Sequence, residues 1–264
     1  MNQSPWIEFE KAIYTQLELQ VRLSLNRHHG FMIKHGLSQC KHVADIGTGN
    51  GLFLGEIARQ NPAIRFYGID DKSQMIKQAR KRNETNTKWI QSDALHKQVQ
   101  TLLSTCEGIL MRYFVLHMPD TGKTLPQILS QVKQGTHLWI FDLDPDYDIC
   151  EPRNDAFDSF RDLVSTFCKK NSIEIRIGSM LPPILENAGF EVVEVSAEPF
   201  NNLEIDPRLL AEYLYREAYL YDHFLEGIYS QVKLNKIRDF FFNDMNRGKQ
   251  FVQYGMAMIS AVKK

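Results

Sequence analysis

A glycine-rich turn between a buried strand and a helix constrains the fold of this chain more than any other feature. The turn is residues 45–51, with the sequence DIGTGNG. An apolar strand predicted at 42–46 leads into it, and a helix predicted at 52–60 follows. Glycine allows the backbone to turn sharply and to approach a ligand closely. Because open α/β sheets bind ligands at the carboxyl ends of their strands, the turn predicts a binding site.

Strands and helices alternate along most of the remaining chain. Seven strands are predicted, at 42–46, 64–69, 88–91, 108–113, 137–143, 190–195 and 254–262. Helical periodicity fills most of the connections and the first forty residues. This alternation predicts an α/β fold with a doubly wound, mostly parallel seven-stranded sheet, carrying N-terminal helices and a helical insertion before the last strand.

The predicted domains follow from this pattern. Residues 1–40 form an N-terminal helical cap, and residues 41–195 with 250–264 form the core. Residues 196–249 are too long for an ordinary connection. They are mostly helical by pattern and dense in aromatic residues. We expect them to form a lid on the substrate side, with a plain helical core or a dimer interface as the alternative.

The spacing of the glycines in the turn differs from the spacing that is typical of dinucleotide-binding proteins. The dinucleotide fingerprint is G-x-G-x-x-G, whereas glycines 47, 49 and 51 give G-x-G-x-G. An acid, Asp45, lies two residues before the first glycine. Further carboxylates follow the next two predicted strands: Asp70 ends the second, 19 residues after Gly51, and Asp93 follows the third. A carboxylate at the end of the second strand can accept both ribose hydroxyls of a nucleoside.

These motifs resemble those of class I S-adenosylmethionine-dependent methyltransferases. The D-x-G-x-G-x-G turn, the acid at 70 and the Asp93-Ala94 pair match three family motifs. Residues 112–120 (RYFVLHMPD) and 177–190 are similar to small-molecule methyltransferases of the quinone-biosynthesis type. The resemblance covers about residues 40–195 and the last strand, and it implies a Rossmann-like methyltransferase fold.

The resemblance also implies S-adenosylmethionine as cofactor and S-adenosylhomocysteine as product. Its implied binding residues are Asp45, Gly47, Thr48, Gly49, Asn50, Gly51, Asp70, Asp71, Met75, Asp93, Ala94 and Arg112. The neighbouring Asp70 and Asp71 leave open which acid binds the ribose. Met75 is equally compatible with a plain core position, and Arg112 with an ion pair or with a carboxylate of substrate or cofactor.

No residue is assigned a catalytic role from the sequence, and the weak candidates are His117, Arg112 and Asp144. Methyl transfer needs a base only when the acceptor atom starts protonated. Residues 144–147 (DPDY) look like the D-P-P-Y motif of methyltransferases that act on amino groups. That motif belongs after the fourth strand and these residues follow the fifth, so we favour O- or C-methylation of a small organic acceptor, hydrophobic or aromatic in character.

The amino-acid composition argues against several classes of binding partner and cofactor. The chain has 31 basic and 32 acidic residues, and this balance argues against duplex nucleic acid. Four widely spaced cysteines predict neither a disulfide framework nor a metal site. The lack of a leader or membrane-span pattern predicts a cytoplasmic protein, and a homodimer is compatible with the sequence. Two other functions stay open: a non-catalytic cofactor-binding sensor or partner subunit, and an NAD-dependent oxidoreductase.

Overall fold

The alternation of strands and helices is confirmed in a computed structural model, which describes residues 5–245 and 247–264. In this part of the chain the helices are α1 (Pro5–Lys34), α2 (Leu52–Gln60), α3 (Ser73–Ala79), α4 (Lys97–Leu103), α5 (Thr121–Ile128), α6 (Asp155–Lys170), α7 (Ile177–Asn187), α8 (Pro207–Phe224) and α9 (Gln231–Asp239). The strands are β1 (His42–Ile46), β2 (Arg65–Asp70), β3 (Thr87–Gln91), β4 (Gly108–Arg112), β5 (His137–Leu143), β6 (Ile149–Glu151), β7 (Phe190–Asn201) and β8 (Phe251–Lys263).

Contacts divide the chain into two compact units. The larger unit contains residues 24–144, 175–198 and 256–264. The smaller unit contains the described residues of the ranges 1–23, 145–174 and 199–255. The three-part division expected from the sequence stays a prediction.

The larger unit is built on a sheet with the strand order β3-β2-β1-β4-β5-β8. Strands β1 to β5 run parallel to one another, and residues 256–262 of β8 run antiparallel to β5. The central strand β1 has β2 on one side and β4 on the other. The strand order reverses between β1 and β4, and this reversal is the point at which doubly wound sheets bind ligands.

The buried faces of the central strands and of α2 form the core around this point. Val43, Ala44 and the α2 residue Ile57 have no exposed surface. A parallel strand buried on both faces is rich in apolar residues, and Val43, Ala44 and Ile46 supply them in β1. The rigid core fixes where β1 ends and the glycine turn begins.

The smaller unit is mostly helical. It holds α6, α8 and α9, followed by a π-helical turn at Phe240–Met245. The short strand β6 pairs antiparallel with residues 251–253 of β8. No helix in the described ranges is long and apolar enough to cross a membrane.

The structure differs from the sequence prediction in four respects. All seven predicted strands are present, and β6 is an eighth. Strand β7 continues to Asn201, so residues 196–201 belong to a strand and the following helix begins at Pro207. Residues 121–134, predicted from the sequence as a helix with a break or restart at Pro126, form an α-helix to Ile128 and continue as a 3-10 turn. The short helix α4 was not predicted.

Candidate cofactor-binding site

The glycine turn lies at the carboxyl end of β1, in the larger unit. Its amides at Gly47 and Thr48 both donate to the carbonyl oxygen of Ile69 on β2, at 2.9 and 3.0 Å. The turn ends where α2 begins, and the Asn50 side chain accepts a hydrogen bond from the Leu52 amide at 3.1 Å. Two strands and a helix therefore hold the turn in place.

The three glycines of the turn adopt the left-handed conformation that favours glycine. Their φ angles are 78° at Gly47, 57° at Gly49 and 71° at Gly51. A Cβ at Gly47 would overlap the ring of Phe114, and a Cβ at Gly51 would lie 2.7 Å from the ring of Trp89. Glycine is thus required for both the backbone conformation and the close packing around the turn.

Asp70 joins the end of β2 to the turn. Its Oδ2 accepts a hydrogen bond from the Gly49 amide at 2.9 Å, and its Oδ1 accepts one from the Lys72 amide at 2.9 Å. Partial burial raises the pKa of Asp70, and the two amides oppose this rise. Asp71 is exposed and its carboxylate contacts Lys72 at 2.9 Å. Of the two neighbouring acids, Asp70 is the one that contacts the glycine turn.

Asp45 and Thr48 bring buried polar groups to the start of the turn. Asp45 is 3% exposed, and burial raises the pKa of its carboxyl group to about 7, against the opposing charge of Arg112. Thr48 is 8% exposed, and its hydroxyl faces the Asp45 carboxyl group and acts to lower the pKa of that group. The start of the turn therefore holds a buried pair of polar side chains.

Arg112 ends β4 and is held by residues that the sequence did not identify. Its Nε lies 3.3 Å from Nδ1 of His28, and its terminal nitrogen donates to the hydroxyl of Ser24 at 3.2 Å. The guanidinium lies over the rings of Phe53 and Tyr113, at 4.6 and 4.7 Å from their centres. Its positive charge opposes the rise that burial causes in the pKa of Asp45 and of Asp142. Arg112 is therefore a partly buried charge centre beside the turn.

Two carboxylates at the carboxyl end of β5, Asp142 within the strand and Asp144 just after it, fix backbone segments. Asp142 is fully buried and accepts hydrogen bonds from the amides of Leu116 and Leu143, at 3.1 and 2.9 Å. Burial raises the pKa of Asp142 to about 7. Asp144 is 2% exposed, and its Oδ2 accepts from the Gly178 amide at 2.7 Å, in the first turn of α7. Both side chains position backbone around the site.

The remaining predicted residues lie at the edge of the site. His117 is exposed in the 3-10 turn after β4, and Met75 is half-buried on α3. Asp93 is exposed and accepts a hydrogen bond from the Leu95 amide at 2.7 Å, as a turn-capping residue does, and Ala94 is half-buried beside it. The carboxyl ends of neighbouring parallel strands bring the predicted acids to one edge of the sheet.

Neither His28 nor Ser24 is predicted as a site residue from the sequence. They lie on α1, far from the glycine turn in sequence, and the helical periodicity around them indicates only a packed face. His28 has no exposed surface and stacks on Phe141 with ring centres 3.9 Å apart. A basic residue at the end of an apolar strand, as Arg112 is, was the available hint that polar partners lay elsewhere in the chain.

Comparison with known proteins defines the class. A family model described as a methyltransferase domain matches residues 37–189, which is more than half of the chain. The chain therefore belongs to this family of methyltransferase domains. The resemblance inferred from the glycine turn and the acids at 70 and 93 is confirmed at this level, and so is the Rossmann-like methyltransferase fold.

Individual relatives are more distant. The chain is 29% identical over 96 residues to a trans-aconitate 2-methyltransferase of Pseudomonas aeruginosa, a match that spans 36% of this chain and 33% of that protein. The plantazolicin methyltransferase BpumL, solved with S-adenosylhomocysteine, is 14% identical with a TM-score of 0.58 and covers 97% of this chain and 90% of its own. The YcgJ protein of Bacillus subtilis is 16% identical with a TM-score of 0.56, covering 90% and 99%.

Proposed function

We propose that this protein is an S-adenosylmethionine-dependent methyltransferase that acts on a small organic acceptor. The observation that carries the proposal is the glycine turn, closed by the bond from the Gly49 amide to Asp70 and bordered by the buried polar side chains of Asp45 and Thr48. A nucleoside with an amino-acid tail has the hydroxyl, amine and carboxylate groups that such residues bind.

The residues of the site fit this cofactor. Glycines 47 and 49 are half-exposed, so their backbone can approach a ligand. Asp70 keeps further lone pairs on both carboxylate oxygens after its two amide bonds, and these can accept from ribose hydroxyls. Asp45 and Thr48 offer polar atoms to the amino-acid end. Asp93, Ala94 and Met75 remain the proposed surroundings of the adenine ring.

When bound, S-adenosylmethionine supplies a methyl group on a positively charged sulfur, which an acceptor atom attacks in line. The residues of this chain then contribute alignment and exclusion of water. The positive charge of Arg112 lies beside the carboxyl groups of Asp45 and Asp142. Asp142 in turn fixes the backbone after β4 by accepting a hydrogen bond from the Leu116 amide. If the acceptor needs a base, we propose His117, because its side chain is exposed. The other candidate, Asp144, is buried, and its carboxylate accepts a hydrogen bond from the Gly178 amide.

The acceptor is proposed to be a small organic molecule, with O- or C-methylation favoured. The residues after β4 lack the D-P-P-Y sequence typical of amino-group methylation. The name of the Pseudomonas relative gives a small organic acid as its substrate, so carboxylic acids join phenols and quinones as the first candidates. A lid role for residues 196–249, a homodimer and a cytoplasmic location remain predictions from the sequence.

The cofactor is tested by thermal unfolding with S-adenosylhomocysteine and with NAD, each added separately. A ligand that binds only the folded state raises the melting temperature. We expect S-adenosylhomocysteine to raise it and NAD to leave it unchanged. Stabilisation by NAD alone would support the oxidoreductase alternative and contradict the proposal.

Turnover is tested with a panel of carboxylic acids, phenols and quinones, including trans-aconitate, by measuring formation of S-adenosylhomocysteine. Product formed with one class and abolished by Asp70→Asn supports catalysis at the glycine turn. Cofactor binding with no turnover across the panel would favour the non-catalytic alternative.

A further inference from the structure

Two buried polar side chains on α1 face the carboxyl end of β4. Ser24 and His28 have no exposed surface, and because they are four residues apart they lie on the same face of the helix. Both belong to the larger unit, as Arg112 does. Burying a polar group costs free energy unless the group is hydrogen-bonded, so the partner of these side chains indicates why the helix carries them.

That partner is the guanidinium group of Arg112. Its Nε lies 3.3 Å from Nδ1 of His28, and its terminal nitrogen lies 3.2 Å from the Ser24 hydroxyl oxygen. A guanidinium group donates hydrogen bonds and accepts none, so Nδ1 of His28 is the acceptor and the imidazole carries its proton on Nε2. Two bonds to different nitrogens fix both the position and the rotation of the planar group.

Aromatic rings hold His28 in turn. Its ring stacks on Phe141 with centres 3.9 Å apart and planes 9° apart, and it meets the Phe53 ring at 5.8 Å and 67°. Phe53 also lies under the guanidinium, together with Tyr113. Side chains locked by packing are the ones that keep a binding group in its productive orientation. The packing of the core therefore reaches Arg112 through His28.

Stability alone does not account for this arrangement. A buried charge with its polar partners is often no more stable than apolar residues of similar volume. Arg112 is half-buried at the carboxyl edge of the sheet, with Asp45 beside it, so a ligand at the glycine turn can reach it. Ser24 and His28 are out of reach, since they have no exposed surface. The planar fork of arginine matches a carboxylate.

We propose that His28 is a positioning residue of the methyltransferase site. It holds the Arg112 guanidinium, with Ser24 as the second holder, in the orientation that binds a carboxylate group. This inference rests on the proposed function and adds two residues that act through Arg112 without touching the ligand. The carboxylate belongs either to the amino-acid end of the cofactor or to the acceptor, and the experiment separates these two sources.

Two substitutions of His28 have opposite expected effects. His28→Phe keeps an aromatic ring against Phe141 and removes the acceptor of the Arg112 bond. His28→Asn loses the ring and keeps an acceptor oxygen close to the place of Nδ1. A positioning role predicts that only the phenylalanine variant loses ligand binding, whereas a packing role predicts the reverse. His29→Phe is the matched control, because the His29 ring contacts Asn61 at 3.0 Å.

The test is calorimetric titration with S-adenosylhomocysteine and with 5′-methylthioadenosine, the same nucleoside thioether without the amino-acid end. We expect His28→Phe to weaken binding of S-adenosylhomocysteine roughly tenfold and that of 5′-methylthioadenosine less than about twofold. His28→Asn and His29→Phe should stay within about threefold of the wild type for both ligands. Thermal unfolding shows that each variant is folded, and Ser24→Ala, expected to weaken binding severalfold, serves if His28→Phe does not fold.

A carboxylate supplied by the acceptor gives a different pattern. The affinity for S-adenosylhomocysteine is then unchanged in His28→Phe, while trans-aconitate, titrated onto the S-adenosylhomocysteine complex as the acid probe, binds roughly tenfold more weakly than to the wild-type complex.

Unchanged affinity for S-adenosylhomocysteine in His28→Phe, together with unchanged or unmeasurable trans-aconitate binding, would overturn the proposal. So would a loss of affinity in His28→Asn that equals the loss in His28→Phe. A wild type that does not bind S-adenosylhomocysteine contradicts the proposed function and the role of His28 with it. A wild type that binds this ligand, with a His28→Phe variant that binds both ligands equally well, contradicts the role of His28 alone.

Discussion

Replacement of Gly51 by alanine tests the packing of the glycine turn without touching a charged group. Gly51 has φ 71°, and an added Cβ would lie 2.7 Å from the ring of Trp89 and 2.8 Å from the Cβ of Ala79. Both separations are well inside van der Waals contact. Trp89 lies on β3 and Ala79 ends α3, so neither neighbour can move without disturbing the sheet or the helix.

The magnitude follows from two costs. A non-glycine residue in the left-handed region costs about 1–2 kcal/mol, and overpacking a rigid site costs about 1–3 kcal/mol more. We therefore expect Gly51→Ala to lower the free energy of unfolding by ~3 kcal/mol. For a chain of this size that lowers the melting temperature by roughly 6–12 °C.

Gly135→Ala is the matched control, because Gly135 has φ 82° with nothing within 4 Å of an added Cβ. The substitution at Gly135 has only the cost of the left-handed backbone conformation, so we expect the free energy of unfolding to fall by about 1 kcal/mol. The free energy of unfolding is measured for both variants by urea denaturation. If Gly51→Ala destabilises the protein no more than Gly135→Ala does, the close packing around the turn is refuted.

Three further predictions concern the buried charges. The first compares the wild type with Asp142→Asn. The pKa of Asp142 rises on folding to about 7, so below that pH the folded wild type is stabilised by binding a proton that the unfolded chain has lost. The free energy of unfolding of the wild type, minus that of Asp142→Asn, should therefore fall by ~2 kcal/mol between about pH 5 and about pH 8. Urea unfolding at both pH values measures this, and a rising difference would contradict it. For Arg112→Met, the free energy of unfolding of the wild type minus that of the variant should instead grow with pH, because the variant has lost the cation that favours ionised Asp45 and Asp142. If this difference does not depend on pH, Arg112 acts by packing alone. Asp144→Ala should cost about 1–2 kcal/mol by removing the acceptor of the Gly178 amide at the start of α7, whereas the exposed Asp146→Ala should cost under about 0.5 kcal/mol; equal losses in thermal unfolding would count against the anchoring role.

Local patterns were enough to predict the strands of the larger unit and the edge of the sheet at which the acids lie. β1 and α2 have the predicted bounds, His42–Ile46 and Leu52–Gln60, because a buried parallel strand and an amphipathic helix each leave a clear periodicity. The acids at 45 and 70 could be placed together because parallel strands end at one edge of a sheet. Asp70 and Asp71 could not be told apart, since their difference is one hydrogen bond to Gly49 that depends on the fold of the turn.

Features that depend on distant contacts were not visible in the sequence. The three-residue strand β6 exists through its pairing with β8, and α4 is a seven-residue helix with too few turns for a reliable period. The smaller unit combines three separate stretches of chain. The bonds from Arg112 to His28 and Ser24 join residues that are far apart in sequence, so they appear only after folding.

Calorimetric titration of S-adenosylhomocysteine into the wild type, Asp70→Asn and Asp71→Asn tests the proposed site most directly. The two acids are neighbours in sequence, and only Asp70 contacts the glycine turn while Asp71 is exposed. We expect Asp70→Asn to weaken binding roughly tenfold or more and Asp71→Asn to change it by less than about twofold. Equal affinities in the two variants, or undiminished binding in Asp70→Asn, would contradict a nucleoside held at this turn.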